Sequence, residues 1–356
     1  MGKVTKYVWI WDYMDKAKEY PIQFFVGGRG DGKTYSALDG SIENYERDGS
    51  KIMFSRLTIK EQQQITGSKT SVKGNPYKKI NSRENRNICI LGASGSSLVN
   101  TITDFDIDDK GNLIPTGNIY GYACSLVDVC DVRGQDFDDV TDWIIDEFIP
   151  EQHKRLPKGL GNALLNGYET INRDREDDGR DPLRVWALAN ANDIYNPIFK
   201  ELNLVATCEK MKRLGQKDFY IKDRGIAIHL LEDSEELKEA RSKRAIAKIA
   251  KGTQFEDMAF NNEFAYNDFS SIGFRSVKGM LPLVSFNGIT IFSQKGSRKI
   301  YCSYTPAKCI TFDITKDSEL LLFKKKYGHK LYNSFVNQNI LFESYEIKAR
   351  ILEIIL

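Results

Sequence analysis

One stretch constrains this chain more than any other: Gly27-Gly28-Arg29-Gly30-Asp31-Gly32-Lys33-Thr34. It fits the pattern G-x-x-x-x-G-K-[ST] and follows an apolar run, Ile22 to Val26. Glycines let successive backbone N–H groups turn inward and cradle phosphate oxygens. A lysine at this position reaches the β- and γ-phosphates, and the hydroxyl after it holds Mg²⁺. Residues Tyr35 to Tyr45 read as a helix whose N-terminus points at the same anion. Strand, loop and helix in this order form the context the motif requires, so the whole octapeptide is expected to bind a nucleoside triphosphate. Asp31 is the discordant member, because its charge opposes bound phosphate unless it points outward or pairs with a base.

The surrounding sequence suits an α/β protein. Apolar tracts at Ile22–Val26, Lys51–Ser55, Ile88–Leu91, Ile119–Ser125, Trp143–Ile145 and Arg184–Leu188 read as strands separated mostly by helix or loop. Such alternation predicts a mainly parallel sheet covered on both faces. Thr58–Asn87 reads instead as surface helix and loop, rich in lysine and arginine. Asp233-x-x-Glu236 resembles a capping box opening a helix that runs to Gly252, acidic at its start and basic at its end. That ordering suits the helix macrodipole and equally suits a DNA contact. From about Gly279 the pattern turns to β. Leu283–Phe286 and Ile289–Gln294 flank Asn287-Gly288, a two-residue hairpin signal. Strands at Lys299–Tyr304 and Cys309–Ile314 follow, then helix Asp317–Tyr327, a strand at Ile340–Phe342 and helix Tyr345–Ile354. We expect three or four antiparallel strands here.

Two acids end the run Val140 to Glu147. A carboxylate at the C-terminal edge of a strand beside the phosphate loop lies where open α/β sheets bind ligands. Asp146 is therefore expected to support Mg²⁺, and Glu147 to polarise the attacking water. Asn190 and Asn192, after the next strand, are candidates to sense the γ-phosphate, hold the water or cap the turn at Asn196-Pro197. An arginine supplied by a neighbouring subunit often stabilises charge on the transferring phosphoryl group. Arg173, Arg175 and Arg180 are the candidates, with Arg173 foremost.

With 356 residues the chain can hold two domains, and 41% hydrophobic with 28% charged content is ordinary for a water-soluble fold. A net charge of +2 leaves nucleic-acid binding to local clusters. The six cysteines form no C-x-x-C pair, so no zinc ribbon or disulfide framework is indicated. No leader and no apolar run near the length of a membrane span is visible, so an intracellular, soluble protein with no membrane partner is expected.

The Gly-Gly-Arg-Gly opening of the phosphate loop, Arg133-Gly134-x-x-Phe137 shortly before Ile144-Ile145-Asp146-Glu147, and the later Ala189-Asn190 resemble the ATPase domain of tailed-phage large terminases. Chain length and a small C-terminal α/β domain are most similar to the DNA-packaging ATPases of φ29-type phages. The resemblance implies a RecA-like P-loop ATPase domain of the additional-strand catalytic-glutamate class over 1–208. It further implies a partly helical linker over 209–262 and an RNase H-like vestigial nuclease domain over 263–356. It implies ATP and Mg²⁺ as cofactors, and a homomeric ring, typically a pentamer, that drives double-stranded DNA into a prohead. The expected location is the host cytoplasm, transiently at the portal vertex, with a structural RNA as a possible bridge. By position, Lys33 and Thr34 bind phosphate and Mg²⁺, Asp146 supports the metal, Glu147 is the catalytic glutamate and Asn190 the coupling residue. Arg56, directly after the second strand, matches a basic position of the family.

A two-metal nuclease needs clustered acids that hold two metals about 4 Å apart. Leu283-Val284-Ser285-Phe286 carries none, and Asp313 and Glu343 are isolated, so no cleavage activity is expected. A motor indifferent to sequence should grip phosphates. Lys60, Lys73, Lys78 and Lys79 are the DNA-contact candidates, with Lys295, Arg298, Lys299 and Lys324-Lys325-Lys326 as a second basic group. A nuclease-active terminase and a P-loop switch that drives no motion are the alternatives.

Overall fold

Strands covered on both faces bury every side chain, and β1 (Ile22–Gly27) is buried from end to end. This is why its sequence shows an unbroken apolar run rather than alternation. The computed structural model describes residues 7–68, 70–72, 74–92, 97–149, 157, 159–191, 193–253 and 268–356. These fall into two compact units, one drawn from Met1–Leu202 with Met211–Ala265, the other from Asn203–Lys210 with Tyr266–Leu356.

The larger unit is built on a nine-stranded sheet. After β1 come β2 (Lys51–Ser55), β3 (Ile88–Leu91), β4 (Asn100–Ile107), β5 (Leu113–Ala123), β6 (Val140–Asp146), β7 (Arg184–Asn190), β8 (Asp218–Ile221) and β9 (Ile226–Leu230). Their spatial order is β3-β4-β5-β2-β6-β7-β1-β9-β8. From β5 to β9 all neighbours run parallel, and antiparallel strands finish both edges. β7 lies between the phosphate-loop strand β1 and the acid-bearing strand β6, the position expected of an additional strand. Val26↔Ala189 and Gly27↔Asn190 are in register, so the loop and Asn190 leave the sheet side by side.

Three sequence expectations change. The tract at Ile119–Ser125 is only the end of β5, and its partner β4 was not anticipated. The outer part of this ribbon is exposed and interrupted by Pro115 and Gly117, so it lacks the apolar pattern of a buried strand. Within the expected linker 209–262, Asp218–Ile221 and Ile226–Leu230 are strands of the large sheet, and β9 pairs directly with β1. Their shortness and the lysines around them concealed them. The helix expected to run from the Asp233 box to Gly252 is broken. Ser234 is its N-cap, accepting from the Leu237 N–H, and the helix stops at Ser242. A second turn, Ala245–Ile249, begins after Arg244 adopts an extended conformation. Asp233 instead forms a buried ion pair with Arg241.

The smaller unit has β10 (Met280–Phe286), β11 (Ile289–Gln294), β12 (Ile300–Ser303), β13 (Ile310–Phe312) and β14 (Ile340–Phe342) in the order β13-β10-β11-β12-β14. Asn287 and Gly288 have φ of 43° and 81°, the left-handed pair that a tight primed turn requires. β10, β11 and β12 are consecutive antiparallel strands, in line with the expected three or four, and β13 and β14 are added at the edges parallel to β10 and β12. The helix after β13 continues from Asp317–Phe323 through a π-helical turn, Lys324–Gly328, into His329–Val336. Asp313 follows β13 and Glu343 follows β14, the opposite edges of the sheet. Four strand spacings, about 19 Å, separate them. Glu343 accepts hydrogen bonds from the Ser303 hydroxyl and the Tyr304 N–H, both 2.8 Å. Asp313 accepts from Thr315 and pairs with Lys316. No helix among the described residues is long and apolar enough to cross a membrane.

Candidate active site

β1 delivers the chain into the loop, and the helix Lys33–Asp48 carries it away. Gly30 and Gly32 adopt left-handed φ of 81° and 94°, which β-carbons resist. A Cβ on Gly32 would also lie 2.9 Å from Tyr7. Lys33 is the first residue of the helix, yet its ammonium turns back into the loop. It donates to the Gly28 carbonyl at 2.9 Å and to both Asp31 oxygens at 3.0 and 2.8 Å. Asp31 thus pairs with a base, and that base is the phosphate-binding lysine. Both are almost fully buried, at 1% and 6% exposure.

β6 brings the two acids to the same place. Asp146 is its last residue and is buried, and its Oδ1 accepts from the Thr34 hydroxyl at 2.8 Å. Glu147 follows with φ of 58°, a left-handed conformation unusual for a residue with a side chain. The turn is held where the Phe148 N–H donates to the Leu188 carbonyl of β7. Glu147 is thereby aimed out of the sheet edge, its side chain 48% exposed. Arg56, the first residue beyond β2, bridges both acids, 3.0 Å from Asp146 Oδ2 and 2.5 Å from Glu147 Oε2. Burial works against the charge on Arg56, but the two carboxylates outweigh it and hold its pKa above the ordinary guanidinium value. The Arg56 N–H donates to Gln62 Oε1 on the following helix, which fixes its position.

Arg29, Gly30, Asp31, Gly32, Lys33, Thr34, Tyr35, Asp146, Glu147, Ala189 and Asn190 line one cavity of about 200 Å³. Residues far apart in sequence therefore converge as expected. Thr34 Oγ1 and Asp146 Oδ1 are hard oxygen donors beside each other, a set that fits Mg²⁺. Tyr35 and Ala189 also line the cavity; Ala189 was noted only as the neighbour of Asn190 in a motif, and Tyr35 was given no role at the site. Tyr35 directly follows Thr34, which was the available signal.

A family model described as podovirus DNA encapsidation protein (Gp16) matches residues 12–355. The chain belongs to this family. Within it, the Gp16-type chain is 24% identical over 343 residues to the DNA packaging protein of Bacillus phage B103, covering 91% of this chain and 92% of that one. To the DNA packaging protein of Bacillus phage phi29 it is 22% identical over 342 residues, covering 92% and 91%. Among solved structures, it is similar to a chain of the bacteriophage Phi-29 viral genome packaging motor assembly. That match has a TM-score of 0.63 and 19% identity, over 99% of this chain and 100% of the other. A chain of the Phi-28 gp11 DNA packaging motor gives a TM-score of 0.56 and 18% identity, over 94% of each.

The remaining candidates of this Gp16-family chain separate by environment. Arg173 ends the helix Leu160–Asn172 with φ of 42°, and its guanidinium donates to the Gln135 carbonyl. With Arg133, Asn166, Glu169 and Thr170 it lines a second cavity of about 420 Å³, and it does not line the phosphate cavity. Arg175 is a correction. It is buried and spends its donors on the carbonyls of Val140, Asp138 and Asp181, which makes it a structural clamp rather than a residue available to a neighbour. Arg180 faces Asp138 and Asp178. In the basic segment, Arg83 pairs with the buried Asp39 and Arg86 with Glu46, both on the phosphate-loop helix. Lys60, Lys78 and Lys79 are exposed. Lys69, Lys73 and Asn192 lie outside the described residues.

Proposed function

We propose that this chain hydrolyses ATP with Mg²⁺ and uses the energy to drive double-stranded DNA into a viral prohead, working as a homomeric ring at the portal vertex. The observation that carries this reading is one cavity lined by Lys33, Thr34, Asp146, Glu147 and Asn190, in a chain of the DNA encapsidation family. Thr34 and Asp146 would hold the metal, whose bound charge neutralises the β- and γ-phosphates. Lys33 binds the phosphates, and Glu147, at the open edge, orients the attacking water. Arg56 pairs with Glu147, so water activation by this glutamate requires that ion pair to loosen. Asn190, in register with Gly27, is suited to sense the γ-phosphate.

Arg173 acts in trans in this reading. Its absence from the lining of the chain's own phosphate cavity and its place beside Arg133 in a second cavity support a role at a subunit boundary. Lys60, Lys78 and Lys79 contact DNA phosphates, and Lys73 is proposed with them. A ring of five subunits and a bridging structural RNA remain part of the proposal by family resemblance. The smaller unit makes no cleavage contribution, a reading supported by the separation of Asp313 and Glu343 at opposite sheet edges.

The deciding experiment is steady-state phosphate release by the wild type and by Glu147→Gln, with and without DNA and proheads. The variant should bind ATP and lose at least about 100-fold in turnover. Wild-type turnover should rise with DNA and proheads. Full turnover by the variant removes the glutamate assignment, and indifference to DNA and proheads favours the static switch.

A further inference from the structure

We propose that Asp31 is a built-in phosphate mimic, a carboxylate that fills the anion cradle of the phosphate loop and must be expelled before nucleotide can enter. The inference rests on the reading of the loop as a nucleotide site and concerns how that site is kept when empty. Asp31 Oδ1 accepts from the Lys33 backbone N–H at 3.2 Å and from the Lys33 ammonium at 3.0 Å, and Oδ2 accepts from the same ammonium at 2.8 Å. These are donors that a phosphate loop offers to a bound phosphate: an inward-facing amide at the start of the helix and the lysine.

The carboxylate is inside the loop, not beside it. A Cβ built on Gly27, the last residue of β1, would lie 2.5 Å from Asp31 Oδ2. Asp31 is 1% exposed, so its oxygens are enclosed by the backbone that should enclose a phosphate. The left-handed Gly30 and Gly32 on either side let the chain fold an acid back on itself at this point. Two anions cannot share one lysine in a buried site without strong repulsion, so phosphate and Asp31 compete for it. No bond is made or broken; the exchange is one of ion-pair partners, the lysine passing from carboxylate to phosphate.

The consequence is a loop neutralised and ordered without ligand, from which product is pushed out by an internal competitor. Asp31→Asn keeps the size and removes the charge. We expect the variant to bind ADP about tenfold more tightly than the wild type, with most of the change in slower dissociation. Tenfold corresponds to about 1.4 kcal/mol. In turnover, KM for ATP should fall, and kcat should fall with it if ADP release limits the cycle. A fluorescent ADP analogue in stopped flow reads both rates. An equal or weaker affinity in Asp31→Asn overturns the proposal, because a merely structural aspartate would weaken binding when lost.

Two controls separate the alternatives. If the wild type binds no ADP and Lys33→Ala changes nothing, the nucleotide reading fails rather than this one. If Asp31→Asn does not fold, amide hydrogen exchange in the wild type decides. The Lys33 N–H should be strongly protected without nucleotide, and fast exchange there overturns the mimic.

Discussion

Arg56 shows how much chemistry one side chain can organise. A guanidinium presents a planar, rigid fork of donors on separate nitrogens, so it can bridge two carboxylates in a fixed geometry that the single nitrogen of a lysine does not reproduce. Asp146 is buried and would stand largely uncompensated without it. Arg56→Lys should therefore cost about 1.5–3 kcal/mol of stability, the range for hydrogen bonds to charged groups, read as a lower midpoint in urea unfolding. Gly32→Ala tests backbone freedom at the loop. It combines a φ of 94° with a Cβ 2.9 Å from Tyr7, so nucleotide binding should fall and the melting temperature should drop. At this scale the sequence was most legible where a motif carries chemistry. Lys33, Thr34, Asp146, Glu147 and Asn190 could be named as candidates before any coordinates, because motif spacing and strand ends bring them to one cavity. The partner of Asp31 could not, since nothing in spacing says which base a loop acid will meet. Nor could the burial of Arg175, which depends on three carbonyls brought together only by folding.

At the scale of elements, β6 has two ends with opposite duties. One end offers Asp146 to the site. At the other, the buried Asp142 is held by Arg184 through two 2.7 Å contacts and by the Trp186 indole at 2.8 Å, both from β7. Removing one partner of a buried charge pair strands the other, at a cost of about 3–5 kcal/mol. Asp142→Ala should lower unfolding free energy by that amount, measured by chemical denaturation. In the smaller unit, the closing helix Tyr345–Ile355 buries Lys348 against Asp268. A hydrogen bond from Lys348 holds the Asp268 carboxyl down to about 2. A depressed carboxyl stabilises above its unfolded value and loses that contribution as protons return. The smaller unit should therefore weaken as pH falls from about 4, the free aspartate value, towards 2. Asp268→Asn should flatten that part of the acid melting curve, and the exposure of Asp268 keeps the effect modest. Elements legible in the sequence were those with continuous apolar runs or a decisive turn, such as β1, β7 and the Asn287-Gly288 hairpin. The ribbon β4–β5 was hidden because much of its outer half meets water and carries no burial pattern.

For the whole molecule, the sequence located the phosphate domain and a smaller α/β unit, but not where the first gives way. Residues 209–262 looked like connection, yet Asp218–Leu230 returns to complete the sheet. Long-range pairing of that kind leaves little local trace, since Ile226–Leu230 is a short apolar run that a loop-like context disguises. Incubating the full chain with supercoiled plasmid and Mg²⁺ or Mn²⁺ tests the molecule as a unit. The plasmid should remain intact, and metal-dependent nicking that survives Glu147→Gln would restore a nuclease to the smaller unit.

The pairing of β9 with β1 has a mechanical side. Five residue pairs, Ile22↔Ile226 to Val26↔Leu230, join the two strands in parallel. Beyond them the Leu231 N–H donates to the Val26 carbonyl, one residue short of Gly27. After this strand the chain continues within the larger unit, into the helix Glu235–Ser242. Tension along β9 at Leu231 would load the ladder in shear, with every rung strained together rather than opened one by one. Such a coupling is stiff, and its fixed end is the strand that carries the phosphate loop. A pull on β9 would therefore be felt within a few ångströms of backbone of Gly27, where the loop begins.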